Sequence, residues 1–199
     1  MLQIAIAIII GYLIGSIPTG YLIVKAKTGD DIRKIGSGST GATNVKRVLG
    51  KKWFFTVMIL DAIKGALPVW LATLFLPAYS QFGITPVLAA IFVLLGHSKS
   101  IFLGFTGGKS VASGVGTIIA LCWPVGILTA VIWAIITWIS KYVSLGSIIA
   151  IAISPILMWS FKQPIGYIIF AVVGAIYIIW LHRENIKRLI KGEENKVRQ

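Results

Sequence analysis

The chain alternates between long apolar runs and short polar segments, a pattern typical of helices that cross a lipid bilayer. Four of the runs are each about long enough to cross a hydrocarbon core ~30 Å thick as a helix. They are Ile4–Val24, Trp53–Leu76, Tyr142–Phe161 and Pro164–Leu181. Pro124–Ser140 is slightly shorter and has the same apolar character. These runs predict five membrane-spanning helices.

The stretch Phe82–Cys122 gives two alternatives. Its apolar segments Ile84–Leu95 and Val111–Cys122 have only 12 residues each, with polar and glycine-rich sequence between them. If each helix recruits part of the intervening sequence, the chain has seven spans, which is the preferred prediction. If the two form a re-entrant pair, it has five. Both numbers are odd, so both place the termini on opposite sides of the membrane.

Composition excludes an ordinary soluble domain. Hydrophobic residues make up 57% of the 199 residues and charged residues only 13%, whereas a typical soluble domain is about 45–50% apolar and about 25% charged. The fold class predicted is an all-α integral membrane protein, a bundle of seven transmembrane helices, some of them short. We expect one polytopic membrane domain over residues 1–199.

The distribution of charge predicts the orientation. The formal net charge is +13, and seventeen of the 19 Lys and Arg residues fall on one side of the predicted bundle. Of the other two, Lys162 lies on the opposite side and Lys64 within the second span. Positively charged loops face the cytoplasm. We therefore expect the N-terminus outside, and the loops at about 25–52 and 97–110 and the tail 182–199 in the cytoplasm.

Two further expectations concern the ends of the chain. The basic residues near the first run follow it rather than precede it, which favours a membrane span over a signal peptide. The short polar tail after Ile190 is expected to fray.

The first cytoplasmic loop combines groups that bind anions. Three glycines, four hydroxyl residues, Asn44 and Arg47 fall within the twelve residues 36–47. Glycines let backbone N–H groups turn towards an anion, and arginine can bind a phosphate through two hydrogen bonds. The alternative is a flexible turn whose cations meet anionic lipid head groups.

A second cluster, Gly96-His97 and residues 102–110, contains a double-glycine turn followed by Lys109. It is not a nucleotide-binding P-loop, because Leu103 stands where that motif has its first glycine. A lysine on such a turn is still a good phosphate ligand, although Gly104 and Gly107 could instead serve close helix packing. His97 is either a hydrogen-bonding residue at a helix end or a base. The chain has two histidines and no set of residues with the spacing of metal ligands, so no metal site is expected.

Three weaker candidates remain. Asp61 and Lys64 share one helix face inside the second span, and a structural pair is favoured over a functional one. In the segment 182–189 the cations could be snorkelling lysines and arginines, but the amide of Asn185 favours a binding role. Ser144 and Ser147 begin the sixth span and are binding candidates, or they cap the helix.

The three polar clusters, at residues 36–47, 96–110 and 182–189, lie on one predicted face of the bundle. The chain lacks a nucleophilic triad, a set of metal ligands and a carboxylate pair. The expected chemistry therefore depends on orientation and on neutralising anions.

Several segments run in order through nearly the whole chain and together resemble one known family. They are GSIPTGY (15–21), GSGSTGATNVKRVLG (36–50), DAIKGALP (61–68), GH with FTGGKSVAS (96–113), SLGSI (144–148) and HRENIKRLIKGEE (182–194). This order and content resemble the bacterial acyl-phosphate-dependent glycerol-3-phosphate acyltransferases, the PlsY family. Some residues differ from those usual in the family, namely Ser39 (asparagine), Ser100 (proline), Gly104 (lysine), Ser110 (glycine) and Ser113 (threonine).

The resemblance implies a seven-helix enzyme of the bacterial inner membrane with its active site facing the cytoplasm. It implies transfer of a fatty acyl group from acyl-phosphate to the 1-hydroxyl of glycerol 3-phosphate, the first step of phospholipid synthesis. Products would be lysophosphatidic acid and phosphate, without a cofactor. The expected partners are the two substrates and membrane lipid, not nucleic acid.

The resemblance also implies site residues. His97 and Lys109 are the expected catalytic residues. The substrate-binding residues that it implies are Ser37, Gly38, Thr43, Asn44, Arg47, Gly108, His182 and Asn185. Ser144 and Ser147 are added to these from their position at the start of the sixth span. Acyl-phosphate carries a good leaving group, so direct attack is expected, with a substrate phosphate or His97 taking the proton. The competing hypotheses are a transporter or channel for a small phosphorylated metabolite and a lipid-binding scaffold.

Overall fold

The structure is a computed structural model that describes residues 1–76 and 83–197, and over these ranges it is helical with no strand. The α-helices in this part of the chain are α1 (Leu2–Ser16), α2 (Thr19–Thr28), α3 (Ala42–Leu49), α4 (Lys51–Phe75), α5 (Ile84–Ser98), α6 (Val111–Leu121), α7 (Trp123–Ser140), α8 (Val143–Ser160), α9 (Ile165–Leu181) and α10 (Arg183–Ile190). Short 3-10 turns lie at Ile32–Lys34 and Ile101–Leu103.

Long apolar helices form where the hydrophobic pattern predicts them. Four segments are long and apolar enough to cross a membrane: Leu2–Thr28, α4, α7 and α8. A fifth consists of α9 and α10, which meet at a bend of 61°. The shorter helices α5 and α6 have 15 and 11 residues, or about 22 and 16 Å of helix. The all-helical membrane class is therefore confirmed, with four to five spans identified by length in the described residues.

The first predicted span is broken in the middle. Pro18 separates α1 from α2 and lacks the N–H that would continue the helix. The end of α1 leaves carbonyl oxygens without helical partners. The Lys64 ammonium donates to the Ile17 carbonyl at 2.7 Å, and the Ser100 hydroxyl donates to the Ser16 carbonyl at 2.6 Å. The break is thus stabilised by side chains from α4 and from the loop after α5.

Small residues let the central helices pack closely. Helix α1 packs against α5, and α4 packs against both α5 and α6. A Cβ atom on Gly15 would lie only 2.7 Å from the Cα of Val93, and one on Gly116 would overlap the backbone of Ala62. Backbones in such close contact leave no room for a side chain between the helices. Helices α7, α8 and α9 complete the bundle by packing in sequence.

The interior is tightly filled, whereas the outer face carries an apolar groove. An internal cavity of about 10 Å³ lies beside Leu94, Gly114 and Phe170, no more than the space of one water molecule. The groove has a volume of about 280 Å³ and runs along α1 and α5. It is lined by Ile8, Ile9, Tyr12, Leu13, Phe92 and Ile101.

The prediction of a frayed tail is wrong as far as Val197. The Val197 N–H donates to the Lys141 carbonyl at 2.8 Å, and the Lys196 ammonium lies 5.7 Å from the centre of the Tyr142 ring. The tail therefore packs against the turn between α7 and α8. Arg198, one of the residues used to predict the orientation, lies outside the described residues.

Candidate active site

Lys109 lies at the centre of a cationic cluster. It follows the Gly107-Gly108 turn before α6, and its ammonium group donates a hydrogen bond to the Asn185 side-chain oxygen. Burial, followed by the positive charges of Arg188, Arg47 and Arg183, lowers the pKa of Lys109 to about 8, against an opposing contribution from Glu194. The arrangement brings together residues from the first loop, the glycine–lysine turn and α10.

A tail carboxylate completes this cluster. One oxygen of Glu194 accepts hydrogen bonds from the Ser144 hydroxyl at 2.8 Å and from the Asn185 amide at 2.7 Å. The other accepts from the Arg188 guanidinium at 2.7 Å. Burial alone would raise the pKa of Glu194, but these hydrogen bonds lower it below its ordinary value. Glu194 therefore holds Ser144, Asn185 and Arg188 in one arrangement beside Lys109.

Sequence reasoning missed both Glu194 and Arg188. The signal for Glu194 was present, because the chain has only six acidic residues and the predicted site was made of cations and hydrogen-bond donors. Such a site needs a counter-charge in the absence of substrate. Glu194 lies six residues after Arg188, in the segment that was instead expected to fray.

Asn44 organises the glycine- and serine-rich loop. Its amide nitrogen donates to the carbonyls of Ile32, Ile35 and Ser39 at 3.3, 2.8 and 3.0 Å. Its side-chain oxygen accepts from the Ser37 N–H at 3.1 Å. The side chain is only 1% exposed. These bonds use both ends of the amide to shape the loop, and a contact between Asn44 and substrate stays a prediction.

Other predicted residues of this loop differ in their exposure and in their reach of Lys109. Arg47 is exposed, and its charge acts on Lys109. Gly38 has a positive φ of 68°, which glycine adopts without strain. Ser37 is exposed and Thr43 is half-buried. Arg47 is thus the member of the loop that the structure brings within electrostatic reach of Lys109.

The side chain and the carbonyl of His97 contact the glycine–lysine turn. Its ring nitrogen Nδ1 lies 3.0 Å from the Ser113 hydroxyl and 3.8 Å from an oxygen of Asp61. The Gly108 N–H donates to the His97 carbonyl at 3.1 Å. A Cβ atom at position 108 would overlap Nε2 of the His97 ring. Gly108 is therefore required for the turn to lie against His97.

Ser110 stands where the family that the sequence resembles usually has glycine. It has a positive φ of 58°, a conformation that favours the family's glycine. Its hydroxyl donates to the Leu94 carbonyl at 2.9 Å and is fully buried. This hydrogen bond offsets part of the backbone strain.

The remaining candidates divide into two groups. His182 is buried, with Nδ1 2.8 Å from the Ile178 carbonyl, and lies within electrostatic reach of Lys109 and Glu194. Ser147 instead donates to the Val143 carbonyl of its own helix at 2.9 Å. The capping alternative for Ser144 and Ser147 is wrong, since α8 has Tyr142 at its N-cap and no side-chain capping bond.

Comparison with known proteins identifies the family. The sequence model of the family described as "Glycerol-3-phosphate acyltransferase" matches residues 5–192. The chain belongs to this family. A glycerol-3-phosphate acyltransferase of Synechococcus sp. (strain JA-2-3B'a(2-13)) is 45% identical, and the alignment covers 100% of this chain and 97% of the relative. That of Nostoc sp. (strain PCC 7120 / SAG 25.82 / UTEX 2576) is 47% identical over 96% of this chain and 91% of the relative.

Two solved structures of the family share the fold. One is the crystal structure of PlsY (YgiH), an integral membrane glycerol 3-phosphate acyltransferase, in its glycerol 3-phosphate form. It matches with a TM-score of 0.92 and 36% identity, covering 98% of this chain and 96% of that one. The lysophosphatidic acid form matches with a TM-score of 0.90 and 35% identity, covering 98% and 95%. The resemblance inferred from the ordered motifs is thereby confirmed, as is membership of an acyltransferase family of membrane proteins.

Proposed function

We propose that the chain transfers a fatty acyl group from acyl-phosphate to the 1-hydroxyl of sn-glycerol 3-phosphate, giving lysophosphatidic acid and phosphate. The observation that carries this proposal is the cluster of Lys109, Asn185, Arg188 and Arg47, which suits phosphate-bearing substrates. The family name supports the acceptor. An acyl-phosphate donor fits the site because it already carries a leaving group and needs only neutralisation of its charge.

In the proposed reaction the 1-hydroxyl oxygen attacks the acyl carbonyl carbon. A new C–O ester bond forms, the bond from the acyl carbon to the phosphate oxygen breaks, and phosphate leaves with the electron pair. The proton of the hydroxyl passes to a substrate phosphate or to Nε2 of His97. Lys109 and Arg47 hold the phosphates and align them. No covalent intermediate with the protein is needed.

The deciding experiment uses purified protein in detergent with acyl-phosphate and glycerol 3-phosphate. We expect release of phosphate that depends on both substrates, together with lysophosphatidic acid as the lipid product. Hydrolysis of acyl-phosphate without glycerol 3-phosphate is the background to subtract. If no such release occurs while the protein in vesicles takes up a phosphorylated metabolite, the transport hypothesis replaces this one.

Replacing His97 tests whether its imidazole is needed as the proton acceptor. A general base contributes about 10²–10⁴-fold to the rate, so His97→Gln should lower kcat by at least about 100-fold if the imidazole takes the proton. A loss of no more than about tenfold would assign the proton to a substrate phosphate. The measurement is kcat per folded protein at saturating concentrations of both substrates.

The titration of Lys109 predicts an alkaline limit to activity. With its pKa lowered to about 8, the ammonium is charged below that pH and loses its proton above it. Because kcat/KM reports the free enzyme, kcat/KM should fall with an apparent pKa near 8. The substrates do not cause this fall, since phosphate esters lose their second proton near about pH 6. Lys109→Arg keeps its charge and should remove the alkaline limb, and a limb that persists in this variant would contradict the assignment.

We further propose seven spans in one polytopic domain of the bacterial inner membrane, with the N-terminus outside and the site in the cytoplasm. The contacts of the loop 99–110 support this number. Lys109 of that loop binds Asn185 beyond α9, and the Leu103 carbonyl accepts from Arg33 beyond α2 at 3.3 Å. At the other end, the Thr85 hydroxyl of α5 bonds the Leu76 carbonyl after α4 at 3.2 Å. Helix α5 therefore extends from one end of the bundle to the other, as its neighbours do.

Cysteine labelling tests this topology. Lys162→Cys and Phe102→Cys, each in a Cys122→Ala background, place a thiol at exposed positions on opposite sides of the proposed bundle. An impermeant thiol reagent should label Lys162→Cys in intact cells and Phe102→Cys only after the membrane is opened. Labelling of Phe102→Cys in intact cells would contradict the orientation. Failure to label it even in opened membranes would favour the re-entrant pair.

A further inference from the structure

The buried residues Asp61 and Lys64 pair with each other and also contact other parts of the bundle. Asp61 is 2% exposed and Lys64 6%, and their charged groups lie 2.8 Å apart, as predicted for an i,i+3 pair. The same Asp61 oxygen accepts a hydrogen bond from the Thr19 hydroxyl and lies 3.8 Å from Nδ1 of His97. Lys64 also holds the Ile17 carbonyl at the helix break. One carboxylate thus joins α2, α4 and α5.

On one side, this carboxylate reaches the glycine- and serine-rich loop. Thr19 is the first residue of α2, and the adjacent Gly20 lies directly on the Thr40 carbonyl, where a Cβ atom would overlap it. A Cβ atom on Gly20 would also lie only 3.0 Å from Val45. The first turn of α2 therefore supports the start of α3. Helix α3 carries Arg47.

On the other side, the carboxylate reaches the glycine–lysine turn. The imidazole of His97 lies between the carboxylate and the turn, with the Ser113 hydroxyl 3.0 Å from Nδ1. The opposite edge of the imidazole lies against Gly108. Lys109 follows directly in the chain. These are buried packing contacts, with 3.8 Å between the Asp61 oxygen and Nδ1 of His97, so this path runs through packing rather than through a hydrogen bond from Asp61.

We propose that Asp61 is a positioning residue that fixes the separation of the two phosphate-binding loops, residues 36–47 and 107–110. It holds the first through Thr19 and the second through His97, and it does not touch substrate. This inference rests on the proposed function, in which the two loops hold the phosphates of the two substrates. Because acyl transfer requires the two substrates to be aligned, the separation of the loops governs the chemical step rather than the binding of either substrate.

A second link between these parts of the chain lies at the surface. Arg33 donates to the Leu103 carbonyl at 3.3 Å while pairing with Asp31 at 2.6 Å. Its side chain is 36% exposed, and exposed ion pairs contribute little to a fixed geometry. The buried carboxylate is the better constraint, because its partners are screened from water.

The test disturbs each of the two connections, through Thr19 and through His97, without removing the buried charge. Asp61→Asn is unsuitable alone, since it leaves the buried Lys64 ammonium without a counter-charge. Thr19→Val removes the hydrogen bond to Asp61 on the side of the first loop. Ser113→Ala removes the hydroxyl that fixes Nδ1 of His97 on the side of the second loop. We expect each variant to lower kcat by about 10- to 100-fold with the KM of each substrate nearly unchanged, because each loop still binds its own phosphate. Thr19→Ser, which keeps the hydroxyl, should restore kcat.

The control is Thr129→Val, a buried threonine whose hydroxyl donates to the Val125 carbonyl of its own helix at 2.8 Å. It should keep full activity, and all variants are compared per folded protein after size-exclusion chromatography. An active wild type with unchanged kcat in Thr19→Val and Ser113→Ala would overturn the positioning role and leave the proposed function standing. A rise in KM with kcat retained would also overturn it. A wild type that transfers no acyl group would refute the proposed function itself, and the positioning role with it.

Discussion

Lys109→Ala is expected to abolish acyl transfer, lowering kcat/KM by about 10³-fold. The ammonium group binds Asn185 at the centre of the cationic cluster, where the proposed reaction requires a substrate phosphate to be neutralised as the leaving group departs. Groups arranged to stabilise developing charge contribute most when they are partly withdrawn from water. The measurement is phosphate release that depends on both substrates, in detergent, at pH 7, where Lys109 is charged.

The matched control for this prediction is Lys191→Ala. Lys191 follows α10 in the same part of the chain but is exposed. It should keep wild-type kcat/KM, which separates a general loss of positive charge from loss of the Lys109 ammonium group. Lys109→Ala that elutes as folded protein and retains more than about a tenth of wild-type activity would remove Lys109 from the proposed mechanism.

Glu194→Gln should produce the second-largest effect, a fall in kcat of about 10- to 100-fold. A glutamine can still accept hydrogen bonds from Ser144 and Asn185, but its amide nitrogen would face the Arg188 nitrogen, so two donors would meet. Loss of that charge-assisted hydrogen bond costs about 2 kcal/mol in the free energy of unfolding. Arg188 is then no longer held in the arrangement beside Lys109.

Glu193→Gln is the natural control, because Glu193 is the adjacent residue and is exposed. It removes the same charge from the tail without changing a contact of the cluster, and it should leave kcat unchanged. Glu194→Gln should also move the alkaline limb of kcat/KM to lower pH, since Glu194 raises the pKa of Lys109. Equal activity of the two glutamine variants would show that the tail carboxylate has no part in the site.

The helices could be predicted from the sequence because membrane helices have a strong and simple signature. A run of apolar residues ends where polar residues begin, and α4, α7 and α8 begin and end close to the predicted positions. The break between α1 and α2 was harder. Pro18 is a local signal for it, but the apolar run continues through the break, and the side chains that stabilise it, Lys64 and Ser100, lie 47 and 84 positions from their partners.

The site was predicted in its parts but not in its arrangement. The types of residue around Lys109 indicated an anion site, and the motif order placed Asn185 with it. Two facts could not be read from local sequence. Asn44 uses its amide within its own loop, and Glu194 folds back onto Ser144. Both depend on where the backbone turns, which a list of residue types does not contain.

The filled interior has a consequence for the path of the acyl chain. A cavity of about 10 Å³ has no room for a fatty tail, whereas the apolar groove of about 280 Å³ along α1 and α5 lies on the outer face. In the proposed reaction we therefore expect the tail to lie on the outer, lipid-facing surface of the bundle rather than in this cavity. Such an enzyme acts on molecules already dissolved in the bilayer, and it releases its product into the same leaflet without carrying it through water.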